Sequence, residues 1–112
     1  MNTATFFKVV DELDTYCNNL LQGKSKEYSR NDDKLHNFKK AGHLEKREPE
    51  LALRGMMTKQ IVSLYDLLDD LQEGQMADFK LFQEKIVDDI NYLKLLYALL
   101  LERYMEDGTN EC

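Results

Sequence analysis

The feature that most constrains the fold of this chain is residues 79–103, a stretch that contains neither proline nor glycine. It reads FKLFQEKIVDDINYLKLLYALLLER. Large apolar side chains recur there at steps of three and four, which places them on one face of an α-helix. They are Phe79, Phe82, Ile86, Ile90, Leu93, Tyr97 and Leu100. The stretch therefore predicts a long helix whose apolar stripe packs into the core.

A polar stripe runs beside the apolar one. Glu84, Asp88 and Asn91 follow one another at steps of four and three, so they stand one above the other on the helix. Like charges four residues apart weaken a helix by roughly 0.2–0.5 kcal/mol. Helix stability gives no reason for this pair of acids, and the pair is therefore the first candidate for a functional site.

The N-terminal segment predicts a helix over residues 4–22, capped by Thr3 or Thr5 and ended by Gly23. Residues 24–47 are polar and basic, and they predict only a short helix over 33–41. Asp32 or Asp33 caps this short helix, and Gly42 ends it. A segment this polar adds little to a core, so we interpret it as a helix-loop excursion, where function tends to sit.

A second long helix is predicted over residues 49–72, because Pro49 suits the first turn of a helix. Gly74 ends this helix, and Asp78 caps the next one. The short connection makes the two long helices antiparallel neighbours. The predicted apolar face of the 49–72 helix is Leu53, Met57, Ile61, Leu64, Tyr65, Leu68 and Leu71.

The predicted fold class is all-α. It is an antiparallel helical bundle with two long C-terminal helices, an N-terminal helix and a short helix-loop excursion. A chain of 112 residues is long enough for one domain with one modest core. We assign that domain to residues 1–105 and a flexible polar tail to residues 106–112.

The charge is unevenly distributed along a chain of net charge −6. Residues 24–47 hold eight bases and four acids, or +4, whereas residues 48–112 hold six bases and fourteen acids, or −8. Direct nucleic-acid binding is not expected, because it requires a basic face. The pattern suits a carboxylate-lined metal site with a basic phosphate clamp, or an acidic surface that mimics DNA.

Cysteine usage and the N-terminus predict a cytoplasmic protein. Cys17 and Cys112 are far apart and do not make a disulfide framework, so reduced thiols are expected. The sequence MNTATFFKVVDELD lacks the basic start and the long apolar run of a signal peptide. The longest apolar run, Leu95 to Leu101, is too short to cross a bilayer.

The helix over 49–72 carries a polar stripe that matches the one on the last helix. Lys59, Ser63 and Asp66 recur at steps of four and three, and antiparallel packing would bring them towards Glu84 and Asp88. Carboxylates gathered in this way hold Mg²⁺, a hard cation that keeps several waters and binds substrate phosphates. The alternative for both stripes is a solvated face of an amphipathic helix.

The basic segment offers what a nucleotide needs, namely cations for the phosphates and an aromatic or amide group for the base. Its candidates are Lys24, Lys26, Glu27, Tyr28, Arg30, Asp33, Lys34, His36, Asn37, Lys39 and Lys40. A solvated basic loop is the alternative. The chain has no glycine-rich phosphate loop, GxSxG, CxxC or HExxH. Metal-assisted hydrolysis is therefore the reaction class that its residues can serve.

Three segments, in this order, carry a family resemblance: KSKEYSRNDDKLHNFKKA, ALRGMMTKQIVSLYDLL and EKIVDDINYLKLL. They resemble small phage and bacterial proteins related to the MazG-like all-α nucleoside triphosphate pyrophosphohydrolases, including the nucleotide-modification-associated group. The similarity covers residues 24–103. Its sharpest elements are K-x-x-E-Y, H-N-F and E-K-x-x-D-x-x-N-Y.

The resemblance implies a helical protein, often a homodimer, that cleaves a nucleotide between its α- and β-phosphates with Mg²⁺, or with Mn²⁺ in its place. It implies that Glu84 and Asp88 are catalytic, and we expect Asp66 to join them as a metal ligand. The residues expected to bind the nucleotide are Glu27, Lys34, Asn37, Lys59 and Asn91. The expected location is the cytoplasm of a bacterium or of a phage-infected host cell.

Two other functions fit the same sequence. One is a non-enzymatic, acidic, helical inhibitor of phage type, which would bind a host nucleic-acid-binding defence protein by mimicking DNA. The excess of acids after Glu48 is the reason for this alternative. The other is a structural helical dimer with no ligand.

Overall fold

The computed structural model describes residues 1–30 and 32–108, and this part of the chain contains four helices and no strand. They are α1 (Thr3–Tyr28), α2 (His36–Glu45), α3 (Pro49–Gln72) and α4 (Phe79–Glu106). The helices pack against one another, which confirms the predicted all-α bundle. Residues 109–112 of the predicted tail lie outside the described residues, and Glu106 still belongs to α4.

The core lies between α2, α3 and α4. It is built from five buried side chains: Leu35, Phe38, Leu53, Leu95 and Leu99. α3 and α4 run antiparallel, because Glu50 at the start of α3 contacts Arg103 near the end of α4. α1 completes the bundle by packing on α4, where the amide of Asn91 donates a hydrogen bond to the backbone carbonyl of Cys17 at 3.1 Å.

The buried face of α4 is not the predicted one. Val87, Asn91, Leu95 and Leu99 face the interior. By contrast, Phe79, Leu93 and Tyr97 of the predicted stripe are 77%, 55% and 68% exposed. The prediction was wrong because α4 carries apolar residues on two opposite faces, and α1 and α3 pack on the face with fewer aromatic residues.

α1 begins and ends differently from the prediction. Asn2 caps it, because the Asn2 Oδ1 atom accepts a hydrogen bond from the backbone N–H of Thr5 at 2.8 Å. The helix continues through Gly23 to Tyr28. One glycine costs an exposed helix only about 1 kcal/mol, and the turns that follow it bring Lys24 against α4, where its Nζ lies 3.8 Å from Asp88 Oδ1.

α2 starts three residues later than predicted and continues past Gly42. Asp33 caps the turn before it rather than the helix itself, since Asp33 Oδ1 accepts from the N–H of Leu35 at 3.0 Å. Gly42 is buried inside α2 and does not end it. The helix ends at Glu45, and the φ of 57° at the next residue, Lys46, lies in the left-handed region. The left-handed backbone at Lys46 reverses the direction of the chain, which then enters α3.

An ion-pair cluster fixes the start of α3 to the end of α4. Arg103 donates to both carboxylate oxygens of Glu50, each at 2.9 Å, and also to Glu48. The Glu50 side chain is only 13% exposed. These hydrogen bonds from Arg103 hold the pKa of the Glu50 carboxyl below its ordinary value, against the opposing effect of burial.

Stability should depend on pH through Glu50. Because its pKa is lower in the folded state, the unfolded state takes up the proton first as the pH falls. The contribution of the Glu50 carboxylate to the free energy of unfolding is therefore complete above the ordinary pKa of 4.5 and is lost as the pH falls below it. We expect Glu50→Gln to lower the free energy of unfolding by about 1–2 kcal/mol at neutral pH, because charge-assisted hydrogen bonds are lost.

Urea unfolding of the variant and of the parent chain, at neutral and at acidic pH, measures this effect. The difference between the two proteins should shrink as the pH falls. Glu12→Gln, at an exposed acid on α1, is the matched control and should leave stability unchanged. A difference between Glu50→Gln and the parent that stays constant with pH would show that the ion pair contributes nothing.

None of the described helices combines the length and the apolarity that crossing a membrane requires.

Candidate functional site

Glu84 and Asp88 line a cleft between α1 and α4. The cleft measures about 270 Å³, and α1 supplies its other wall with Tyr16, Leu20 and Lys24. The Lys24 ammonium lies 3.8 Å from Asp88 Oδ1, and both side chains are partly exposed. An ammonium at the rim of an acidic cleft provides one contact for a phosphate group.

A smaller polar cavity of about 110 Å³ adjoins this cleft and shares Lys24 and Asp88 with it. Its lining is completed by Leu21, Gln60, Asn91, Tyr92 and Leu95. Asn91 is buried, with 7% of its surface exposed. Its Nδ2 atom is used by the hydrogen bond to Cys17, and its Oδ1 atom has no partner among the described residues. Gln60 Oε1 is likewise buried and unpaired.

Leaving a buried polar atom without a partner costs about 1–3 kcal/mol. Two such oxygens beside one small cavity, with the Asp88 carboxylate at its rim, are therefore an unusual arrangement. A water molecule, a cation or a hydrogen-bond donor of a ligand would satisfy them. Carboxylate and amide oxygens are the ligands that hard divalent cations prefer, so the residues present fit such an ion.

The field around this cavity is negative. Burial raises the pKa of the Asp89 carboxyl, and the nearby Asp88 raises it further. Burial and the same two carboxylates also raise the pKa of the Tyr92 hydroxyl. Asp89 Oδ1 is a third buried oxygen without a partner in the described structure. Lys85 acts in the opposite direction on the pKa of Asp89, and the Lys24 ammonium lies 3.8 Å from Asp88 Oδ1, so these two bases partly offset the charge of the carboxylates.

Asp66 does not join Glu84 and Asp88 in a three-carboxylate cluster. Across residues 1–30 and 32–108, no group of three or more His, Cys, Asp and Glu side chains is arranged to hold a metal ion. Asp66 and Lys59 are exposed on α3. The two stripes are not opposed as predicted, because α3 directs Gln60 towards the cavity instead.

The basic segment divides into residues near the cleft and residues used elsewhere. Asn37 is brought to Glu27, but its Nδ2 donates to the backbone carbonyl of Glu27 at 2.7 Å, which joins α1 to α2. Lys39 is held between Asp33 and Glu102, at 2.9 and 2.6 Å. Lys34 is exposed.

Sequence reasoning missed two contributors to the site, Gln60 and the pairing of Lys24 with Asp88. A signal for Gln60 was available. Leu53, Met57, Gln60 and Leu64 follow one another at steps of four, three and four, so Gln60 is a polar residue within an apolar face. Asn91 stands in the same way among Val87, Leu95 and Leu99. Polar residues that interrupt a core face are strong candidates for a site.

Comparison of the chain with protein-family models, with curated proteins and with solved structures found no match. The resemblance to MazG-like proteins therefore rests on the sequence motifs alone and stays a prediction.

Proposed function

We propose that this protein binds a nucleoside triphosphate through a divalent cation, Mg²⁺ or Mn²⁺, at the cleft between α1 and α4. The observation that carries the proposal is the pair of unpaired buried oxygens of Asn91 and Gln60, which lie beside Asp88. Asp88 would hold the ion with these amides in support. Mg²⁺ proteins commonly use one or two carboxylates and leave the other positions to water and phosphate.

The proposed reaction is hydrolysis between the α- and β-phosphates, as the resemblance implies. A water oxygen bonds to the α-phosphorus while the bond from that phosphorus to the bridging oxygen breaks, releasing a monophosphate and pyrophosphate. The bound ion would stabilise charge on the phosphate oxygens. Glu84 is the proposed base, because it lines the cleft and is exposed, whereas Asp88 lines both the cleft and the cavity. Lys24 would contact a phosphate.

Titrating nucleotides and Mg²⁺ against unfolding tests the proposal. A ligand at about 100 times its dissociation constant adds roughly 2.7 kcal/mol to the free energy of unfolding. We expect Asp88→Asn to abolish this gain and Asp66→Asn, an exposed matched control on α3, to retain it. Pyrophosphate release under the same conditions measures the reaction, and Glu84→Gln should abolish release.

A parent chain that no common nucleoside triphosphate stabilises, with either Mg²⁺ or Mn²⁺, would refute the nucleotide proposal. Stabilisation without pyrophosphate release would restrict the function to binding. The homodimer that the resemblance also implies is a separate prediction, which nucleotide titration does not test.

The non-enzymatic inhibitor remains the second candidate. Four exposed acids on one stretch favour it: Asp66, Asp69, Asp70 and Glu73. A host nucleic-acid-binding protein would meet this acidic surface with its own basic face, and high salt would weaken the complex. Salt-sensitive recovery of such a protein from host lysate, together with a flat nucleotide titration, would favour this function over hydrolysis.

A further inference from the structure

The connection between α3 and α4 carries an open apolar groove. The groove measures about 630 Å³ and is walled by the end of α3, the connection and the start of α4. Its two most exposed side chains are Met76 and Phe79, at 80% and 77%. Exposed apolar surface gathered into a groove marks a binding site. The apolar lining includes Leu68, Leu71, Met76, Phe79, Phe82 and Ile86.

Acidic side chains adjoin this groove. Asp78 lines it, and the other acids lie on α3 or directly after it, beside lining residues of that helix. Residues 66–80 hold five acids and one base, Lys80, or −4. A ligand in the groove therefore meets an excess of negative charge. We call the five exposed acids the acidic rim: Asp66, Asp69, Asp70, Glu73 and Asp78.

The position of the acidic rim works against the stability of α3. Asp69, Asp70 and Glu73 stand at the C-terminal end of the helix, whose last turn holds no basic residue. That end of a helix carries partial negative charge, so acids there are unfavourable and cations are favourable. Asp66 and Asp70 are also four residues apart, as are Asp69 and Glu73, and like charges at this spacing repel. A cationic partner supplies the reason that helix stability does not.

The walls of the groove indicate the kind of partner. Both long walls are helices, and residues 1–30 and 32–108 contain no strand to which an extended peptide could add. A helix fits such a groove by placing apolar side chains at steps of three and four into it. Met76 suits this partner, because its flexible side chain adapts to the shape that it contacts. The acidic rim calls for lysine or arginine on the flanks of the same helix.

We propose that this groove binds an amphipathic helix of another protein, whose apolar face enters the groove and whose basic flanks pair with the acidic rim. The groove shares no lining residue with the cleft at Glu84 and Asp88 or with the cavity beside it, so binding there is independent of the nucleotide proposal. Recognition also differs from that of the inhibitor candidate, in which charge alone attracts the partner. Here the apolar side chains anchor the helix and the acids orient it.

A model peptide tests the groove by fluorescence anisotropy. The probe is a fluorescein-labelled peptide of about 18 leucine, lysine and alanine residues, long enough to form a helix, with leucines on one face and lysines on the flanks. We expect the parent chain to bind it with a micromolar dissociation constant. Phe79→Ala removes an exposed anchor and should raise that constant about tenfold or more. Phe7→Ala makes the same change at an exposed residue of α1, outside the groove, and should leave it unchanged.

A charge variant tests the acidic rim. It combines Asp69→Asn, Asp70→Asn and Glu73→Gln, and at low salt it should raise the dissociation constant of the peptide about fivefold or more. Removing these charges relieves the helix dipole, so the variant should unfold at the same temperature as the parent chain or at a higher one. Weaker binding by this variant therefore reports a lost contact and not a lost fold.

The matched control for charge combines Asp11→Asn, Glu12→Gln and Asp14→Asn, the same three changes at exposed acids of α1. It should leave the dissociation constant within about twofold of the parent value. Equal weakening by the rim variant and by this control would show that net charge alone attracts the peptide, and would overturn the proposal.

Three further results would overturn it. One is a parent chain that does not bind the peptide at about 100 μM, and another is equal binding of a peptide of the same composition whose order forms no apolar face. Equal dissociation constants for Phe79→Ala and Phe7→Ala would contradict the assignment of the groove. Sedimentation of the parent chain alone tests for another occupant. Self-association that Phe79→Ala abolishes would mean that a second copy fills the groove, and would also refute the proposal.

Discussion

Leu53→Ala is expected to lower the free energy of unfolding by about 3–5 kcal/mol. Leu53 has no exposed surface and belongs to the cluster that joins α2, α3 and α4. Removing its branched end takes apolar area out of the core and leaves a cavity between Phe38, Leu95 and Leu99. These neighbours are anchored on α2 and α4, so the cavity cannot close without moving a helix.

Urea unfolding measures the effect as a difference in the free energy of unfolding between the variant and the parent chain. Leu44→Ala is the matched control. It makes the same chemical change on α2 at a side chain that is 69% exposed, and it should change stability by less than about 0.5 kcal/mol. If Leu53→Ala and Leu44→Ala lowered the free energy of unfolding equally, the cluster around Leu53 would not be the core.

Gly42→Ala should also destabilise the protein, by about 2 kcal/mol. A Cβ atom at this position would lie 2.7 Å from the backbone oxygen of Arg47 and 2.9 Å from the backbone nitrogen of Pro49. Both contacts are with main chain, which cannot rotate away. The substitution must therefore displace the reversal between α2 and α3, and this cost exceeds the roughly 1 kcal/mol that alanine gains over glycine in a helix.

Gly23→Ala makes the same change with the opposite expected sign. Gly23 lies within α1, and an added Cβ would meet nothing within 4 Å. The remaining effect is the higher helix propensity of alanine, so we expect the free energy of unfolding to rise by about 0.5–1 kcal/mol. Thermal and urea unfolding of the two variants should therefore shift in opposite directions. A destabilised Gly23→Ala, or a neutral Gly42→Ala, would contradict the packing described for these two glycines.

The bounds of α3 and the start of α4 could be predicted because strong local signals mark them. Pro49 begins α3, Gly74 follows its end, and Asp78 precedes α4. The predicted α1 is too short because the prediction treats Gly23 as the residue that ends the helix. Whether an isolated glycine ends a helix depends on what the next turn packs against, and Lys24 meets α4. That contact cannot be inferred from local sequence.

The buried face of α4 could not be predicted for a related reason. Periodicity identifies apolar stripes, but a helix with two of them gives no sign of which one its own chain covers. Asn91 carries the available signal, because this polar residue interrupts the apolar series Val87, Leu95 and Leu99 as well as bordering the predicted stripe. In the structure Asn91 is part of the buried face and bonds to α1. For the same reason the sequence predicts Lys59 and Asp66 beside Glu84 and Asp88, whereas in the structure Gln60 is the α3 residue that lines the cavity with Asp88.

The hydrogen bond between Asn91 and the carbonyl of Cys17 also bears on the order of folding. It joins residues 74 positions apart, whereas α2 and α3, and likewise α3 and α4, are consecutive helices that pack against each other. Closing a long loop carries an entropic cost that local helix pairs avoid, and local contacts form faster. We therefore expect α1 to dock on α4 after α2, α3 and α4 have packed together. Because α1 forms one wall of the cleft at Glu84 and Asp88, an intermediate that lacks docked α1 would have a core but no binding cleft.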